Sequence, residues 1–290
     1  MSIEIVKFNA KDGIILDGIL SKCNVKTTKL LIQIHGMTSN CFKLREKTIS
    51  EEVNKNNIDT LTFNNRGSEI SKYIKNINGE RFLGGTAYED VEEGYYDIVG
   101  AIEYALSLGY NEIYLQGHSL GCTKIVYTYN RLQHEKDELL ASIKAVLLLS
   151  LVDIPGLISA DMPKEFIKIA EDKEKDNKLL DLMPAESFFH PISVKTFLRY
   201  TKYYENIDFA RYGDSNDSFE ILNSISIPLF MRWGNEKELI AQNAEELVLN
   251  MNQKISNRKK DINYIDGANH SYDSKEKQLA NEICDFLINN

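Results

Sequence analysis

The run Gly117-His118-Ser119-Leu120-Gly121 restricts this chain more than any other stretch, because of what flanks it. Asn111 to Gln116 has the β-branched and aromatic character of a strand, while Leu120 to Leu132 spaces its apolar residues as an amphipathic helix does. Ser119 therefore falls at a strand-to-helix turn. So tight a turn needs residues without side-chain bulk on both sides, and Gly117 and Gly121 supply them while the hydroxyl is pushed into the open.

The rest of the chain repeats the strand-then-helix order. Ile3–Ala10 and Ile14–Lys22 alternate apolar and polar residues around Lys11-Asp12-Gly13, as a hairpin at a sheet edge does. Leu30–Ile34 reads as a strand, with Thr38, Ser39 and Asn40 offering caps to a helix that carries Phe42, Ile49 and Val53. Ile58–Phe63 is the next strand, and a polar excursion runs to Gly85. A helix follows with Val91, Tyr95, Ile98, Ile102 and Leu106 on one face, and Gly109 suits its end. The unbroken run Ala145 to Leu149 fits a strand buried on both faces.

From Ile154 to Ser226 the alternation lapses. This stretch holds four of the five prolines, charged helical segments such as Lys164–Lys178, and aromatics from Phe188 to Tyr212. It reads as a helical cap, residues 154–226, inserted in one domain spanning 1–290, because strands at Ile227–Trp233 and Ile262–Ile265, each with a helix behind it, resume the order. The expected fold is α/β, a mostly parallel sheet with helices on both faces. In such sheets ligands sit at the carboxyl ends of the strands, where His35, Arg66, Ser119, Asp153, Glu236 and His270 all fall.

A formal charge of −9 disfavours unspecific binding to nucleic acid or anionic membrane, since the long-range field repels phosphate. Met1–Lys7 lacks the marks of a secretory signal and no apolar run is long enough to span a bilayer, so the reading is a cytoplasmic protein. Cys23, Cys41, Cys122 and Cys284 have no CxxC spacing and read as reduced core residues, with no metal implied.

A serine hydroxyl is a weak nucleophile at neutral pH and needs a base, with a third group to orient that base. Among the five histidines, His118 lies inside the turn and is expected to point away, His134 ends a polar helix, His190 is in the cap, and His35 precedes a glycine loop. His270, in Gly267-Ala268-Asn269-His270-Ser271 after the last strand, is the base of choice. Backbone N–H groups of Leu120, at a helix N-terminus, and of Met37, after His35-Gly36, are placed to hold an oxyanion. Arg66 offers a planar fork for a substrate carboxylate or phosphate, or else pairs with a carboxylate such as Glu89 or Asp90.

These pieces together resemble the α/β-hydrolase superfamily. The matching runs are IHGMTSN at 34–40, FNNRG at 63–67, GGTAYED at 84–90, LQGHSLG at 115–121 and GANHSY at 267–272. The narrower likeness is to bacterial relatives of the family of unknown function that includes fungal siderophore esterases. The resemblance implies a catalytic triad, and one departure stands out. The family's acid lies three residues after the glycine ending the preceding strand, and Gly234-Asn235-Glu236-Lys237 puts a lysine there. Glu238 is the preferred acid, with Glu236 and Asp153 as alternatives.

The expected activity is serine hydrolysis of a small-molecule carboxylic ester through an acyl-enzyme on Ser119, without cofactor. Amide or thioester cleavage would use the same residues. The alternative, motivated by the displaced acid, is a small-molecule binding protein of weak or no catalysis on the same fold.

Overall fold

The computed structural model describes every residue except 160–161, 212–213, 215 and 241, together with all side chains of the described residues but those of residues 155 and 159. Strands β1 (Ser2–Asn9) and β2 (Ile15–Lys22) form the expected antiparallel hairpin, in register from Ser2 opposite Lys22 to Asn9 opposite Ile15. Strand β2 also pairs antiparallel with β4 (Asp59–Phe63). Beyond it the sheet is parallel: β3 (Lys29–Ile34) lies between β4 and β7 (Glu112–His118), and β8 (Ile143–Leu149), β9 (Leu229–Gly234) and β10 (Lys260–Ile265) follow. The order across the sheet is β1-β2-β4-β3-β7-β8-β9-β10.

Helices cover both faces. Ile49 and Val53 of α1 (Leu44–Lys55) and Leu279, Ile283 and Phe286 of α8 (Glu276–Asn289) share one core with Leu31, Leu147 and Leu149. On the other face, α2 (Gly94–Ser107), α3 (Leu120–Glu135) and α7 (Ala244–Lys254) bury Ile98, Ile125 and Leu247 against Val146 and Leu148. Strand β8 thus sends alternate side chains into two apolar layers, which is why its sequence has no polar alternation.

Between β8 and β9 lie a π-helical turn at Pro155–Ser159, α4 (Lys164–Lys175), α5 (Val194–Thr201) and the short α6 (Glu220–Asn223). Val194, Phe197 and Leu198 of α5 join Ile154, Val91 and Leu120 in a third core seated at the start of α3. Tyr212, one of the aromatics singled out in this stretch, lies outside the described residues.

Two local expectations fail for physical reasons. The polar excursion before Gly85 contains a hairpin, β5 (Lys72–Lys75) and β6 (Arg81–Gly84), whose Tyr73 and Phe82 are exposed, so it carries no core-facing pattern. Thr38, Ser39 and Asn40 do not cap α1. That helix starts at Leu44 after Lys43, which makes no side-chain cap, and Phe42 is outside it and exposed. The polar groups of this segment are engaged elsewhere: the Thr38 N–H donates to Thr86 Oγ1 and the Cys41 N–H to Asn64 Oδ1. No described helix is long and apolar enough to cross a membrane. The four cysteines are free, and all but Cys23 are buried.

Leu148 has no exposed surface, so Leu148→Ala should cost about 2–5 kcal/mol, read as a lower urea midpoint with unchanged slope. Leu249→Ala, on the outer face of α7, should stay within about 0.5 kcal/mol.

Candidate active site

Ser119 sits between β7 and α3 at φ 55° and ψ −126°, a left-handed backbone that a residue with a side chain adopts only when its surroundings impose it. The surroundings are close. A Cβ on Gly121 would stand 2.3 Å from the Ile34 carbonyl oxygen, and one on Gly36 would stand 2.8 Å from that of His118 and 2.9 Å from Ser119 Cβ. The Ser119 N–H donates to the Leu149 carbonyl at 2.9 Å, tying the turn to β8. Its Oγ has no hydrogen-bond partner among the described residues and lines a cavity of about 620 Å³, within the range of sites for small organic ligands.

Two kinds of residue line that cavity. Leu44, Val152, Ile154, Leu157, Ile158, Phe189 and Leu239 make up its apolar wall, while Lys43, Arg45, Ser271, Asp273 and Glu276 are polar. Gly36, Met37, His118, Leu120 and His270 line it beside Ser119. Leu120 is the first residue of α3, so its N–H has no intrahelical acceptor. The Met37 N–H has no partner among the described residues.

His270 Nδ1 is hydrogen-bonded to Glu238 Oε1. The glutamate side chain is 2% exposed, and its Oε2 accepts from Ser150 Oγ at 2.7 Å and from the Gly234 N–H at 3.0 Å. Burial pushes this carboxyl up, yet the imidazole, the Ser150 hydroxyl and the Gly234 N–H together hold it below the ordinary glutamate value. Lys237, at the place the resemblance gives to the acid, is exposed and turned to φ 51°. That left-handed residue turns the chain so that the next side chain, not its own, reaches His270.

His118 does not point away from the site, as the sequence reading expects. Its Nε2 donates to the His270 carbonyl at 2.7 Å, and the two rings lie 4.9 Å apart. Burial, then Arg45 and His270, pushes its pKa well down, so it is a neutral brace for the histidine loop. Ser150 and Tyr272 complete the support: Tyr272 Oη lies 3.0 Å from Ser150 Oγ and donates to the Arg232 carbonyl at 2.8 Å. Nothing in the spacing of His118, Ser150 or Tyr272 marks them in advance.

The remaining residues singled out by sequence lie apart from His270. Glu236 is exposed and its N–H bonds the Ala268 carbonyl; the Asp153 carboxylate accepts from the Gly156 N–H at 2.8 Å. Arg66 is not a cavity residue. It is buried, with Nη2 2.8 Å from Asp97 Oδ1 and 2.9 Å from Asp12 Oδ2, and the Arg66 N–H also bonds Asp97. The partners suggested for it go elsewhere, Glu89 to Lys124 at 2.6 Å and Asp90 to Arg199 at 2.8 Å. His35 is buried beneath the glycine loop, its pKa pushed down to about 3 by burial and then by Lys124. His134 is exposed and His190 packs edge-on against Phe188 and Phe189, which stack on each other. Among the described residues no group of three or more His, Cys, Asp or Glu is arranged to hold a metal ion.

Solved structures match over nearly the whole length. Est1E from Butyrivibrio proteoclasticus, with bound ferulic acid, has a TM-score of 0.66 at 18% identity, covering 98% of each chain. DcsB in complex with its substrate analogue gives 0.69 at 15% identity, over 100% of this chain and 99% of that one. The α/β hydrolase GrgF from Penicillium sp. sh18 gives 0.68 at 15%, over 99% and 98%. No family model and no curated protein matches the sequence, so the comparisons bear on the fold and not on the narrower kinship with siderophore esterases. With the sheet order and the turn at Ser119, they identify the chain as a protein of the α/β-hydrolase fold.

Proposed function

We propose that this protein is a serine hydrolase that cleaves a small-molecule carboxylic ester. The observation that carries this reading is the hydrogen bond from His270 Nδ1 to a buried carboxylate, with Nε2 on the side of the ring away from it and Ser119 on the same cavity. Ser119 Oγ attacks the carbonyl carbon and passes its proton to His270 Nε2. The Met37 and Leu120 N–H groups hold the oxyanion. The alcohol leaves with the proton from His270, and a water activated by the same imidazole releases the acid from Ser119. Glu238 keeps the ring in the tautomer with Nδ1–H and stabilises the imidazolium formed in each step.

The alternative of a binding protein without turnover draws on an imidazole lacking an orienting carboxylate, and the Glu238 contact takes away that support. Residues 154–226 act in this reading as a cap, contributing Ile154, Leu157, Ile158 and Phe189 to the apolar wall. We assign the acyl group of the ester to that wall. Leu157, Phe189 and Leu239 are exposed as well as cavity-lining, so the apolar surface continues outward and suits a chain longer than the cavity.

Ser119→Ala should lower turnover of a p-nitrophenyl ester by about 10⁴-fold or more and abolish labelling by a fluorophosphonate; equal turnover in the variant would sink the assignment. Glu238→Gln should lower kcat by roughly 10³-fold, since an amide presents a donor to Nδ1 and favours the wrong tautomer. The same variant has a pH signature. A carboxyl held below its ordinary value contributes stability that is full above that value and fades as pH falls through the lowered one. The gap in unfolding free energy between wild type and Glu238→Gln should therefore narrow across that acid window. On the acyl series from acetate to octanoate, kcat/KM should rise about twofold or more per methylene, toward the roughly fourfold that burial at ~0.8 kcal/mol allows. Leu157→Ser combined with Phe189→Ser should flatten that slope, and a flat wild-type series would refute the acyl assignment.

A further inference from the structure

Two of the sequence runs, FNNRG and GGTAYED, take no part in the chemistry above, yet they close on the loop that carries Met37. Asn65 Nδ2 donates to the His35 carbonyl at 3.3 Å, the Glu69 N–H to the Ser39 carbonyl at 2.9 Å, and Asn40 Nδ2 to Glu69 Oε1 at 2.6 Å. The Cys41 N–H donates to Asn64 Oδ1 at 3.0 Å. Between these lies Thr86, fully buried, whose Oγ1 accepts from the Thr38 N–H at 2.7 Å and donates to the Gly67 carbonyl at 2.8 Å.

We infer that Thr86 is a positioning residue that aims the Met37 N–H at the oxyanion; the inference rests on Met37 serving as one of the two donors. The directions of its bonds are fixed, because the Thr38 N–H can only donate and the Gly67 carbonyl can only accept. Its one proton goes to Gly67 and a lone pair is left for Thr38. Thr38 stands at φ 53°, a left-handed turn immediately after Met37, and an unrestrained threonine leaves that region readily. The peptide plane after Met37 is thus held by the Thr86 hydroxyl, and Gly36 before it is pressed against Ser119 Cβ. With one end pinned on the nucleophile turn and the other on Thr86, the backbone of Met37 has no freedom to swing its N–H away, which is the preorganisation an oxyanion donor requires. The support runs deeper through Asn65, whose Oδ1 accepts from Lys124 Nζ of α3 at 3.2 Å, and Lys124 is in turn paired with Glu89 of the GGTAYED run.

Thr86→Val keeps the shape and removes both hydrogen bonds, while Thr86→Ser keeps the hydroxyl. The measurements are the second-order rate of Ser119 labelling by a fluorophosphonate, whose phosphoryl oxygen occupies the oxyanion position, and kcat and KM on p-nitrophenyl butyrate. Thr86→Val should lower both the labelling rate and kcat by about tenfold to a hundredfold with KM within about twofold, and Thr86→Ser should stay within about threefold of wild type. Equal labelling of the valine variant and wild type overturns the inference alone, as does a loss in which KM rises in step and serine gives no rescue. A wild type left unlabelled overturns the reading of Ser119 and this inference with it. Should the valine variant not fold, Asn64→Ala, which releases the half-buried tether at Cys41, should give the same pattern at smaller amplitude, and unchanged labelling there counts against the inference.

Discussion

No side-chain atom fits between the end of β3 and the first turn of α3. The Ile34 carbonyl and the Gly121 backbone approach so closely that even a methyl group would collide, and Gly36 meets the Ser119 turn with the same lack of room. Because β3 and β7 are neighbours in the parallel sheet, this contact fuses the ends of two strands distant in sequence into one unit. The loop from His35 onward and the turn at Ser119 therefore have a fixed relation before any ligand arrives. Strands β8, β9 and β10 extend the same rim, so that Ser150, Glu238 and His270 arrive on loops whose roots are already in register.

Beneath the rim, the charged groups are structural. Arg66 holds Asp97 and Asp12, and Lys124 holds Glu89, with Arg66, Asp97, Lys124 and Glu89 buried. Buried pairs of this kind add little net stability, but removing one partner strands the other in a medium that cannot solvate it. Their effect is to make alternative arrangements of the surrounding loops costly. The lowered pKa of His35 belongs to the same picture, since a charged imidazole beside Lys124 would oppose the packing under the glycine loop.

The sheet was legible because apolar periodicity reports burial directly: β8 lies between two apolar layers and reads as an unbroken run, and the opening hairpin is covered on one face and alternates. The hairpin of β5 and β6 buries little and left no such trace. The start of α1 was misplaced because the stretch 38–41 is held in a loop by Thr86, Glu69 and Asn64, all distant from it in sequence. Arg66 illustrates the same gap at the site: an arginine at a strand end offers its fork equally to a ligand or to Asp97, and only the packing of α2 decides. His270 and Ser119 stood out because their positions relative to strand ends follow from topology. His118, Ser150 and Tyr272 act through contacts across three strands and a loop, which spacing along one chain does not encode.

The left-handed turn at Lys237 changes what counts as the same position. A comparison that counts residues from Gly234 finds a lysine where a carboxylate is sought; a comparison that follows the backbone through space finds Glu238 on the imidazole. A single residue with φ 51° and a side chain one methylene longer than aspartate are enough to bring a carboxylate one position further along the loop to that imidazole. Geometry at such a rim is therefore set by the strands and by the turn between them, and a residue count from the strand end does not say which side chain meets the imidazole.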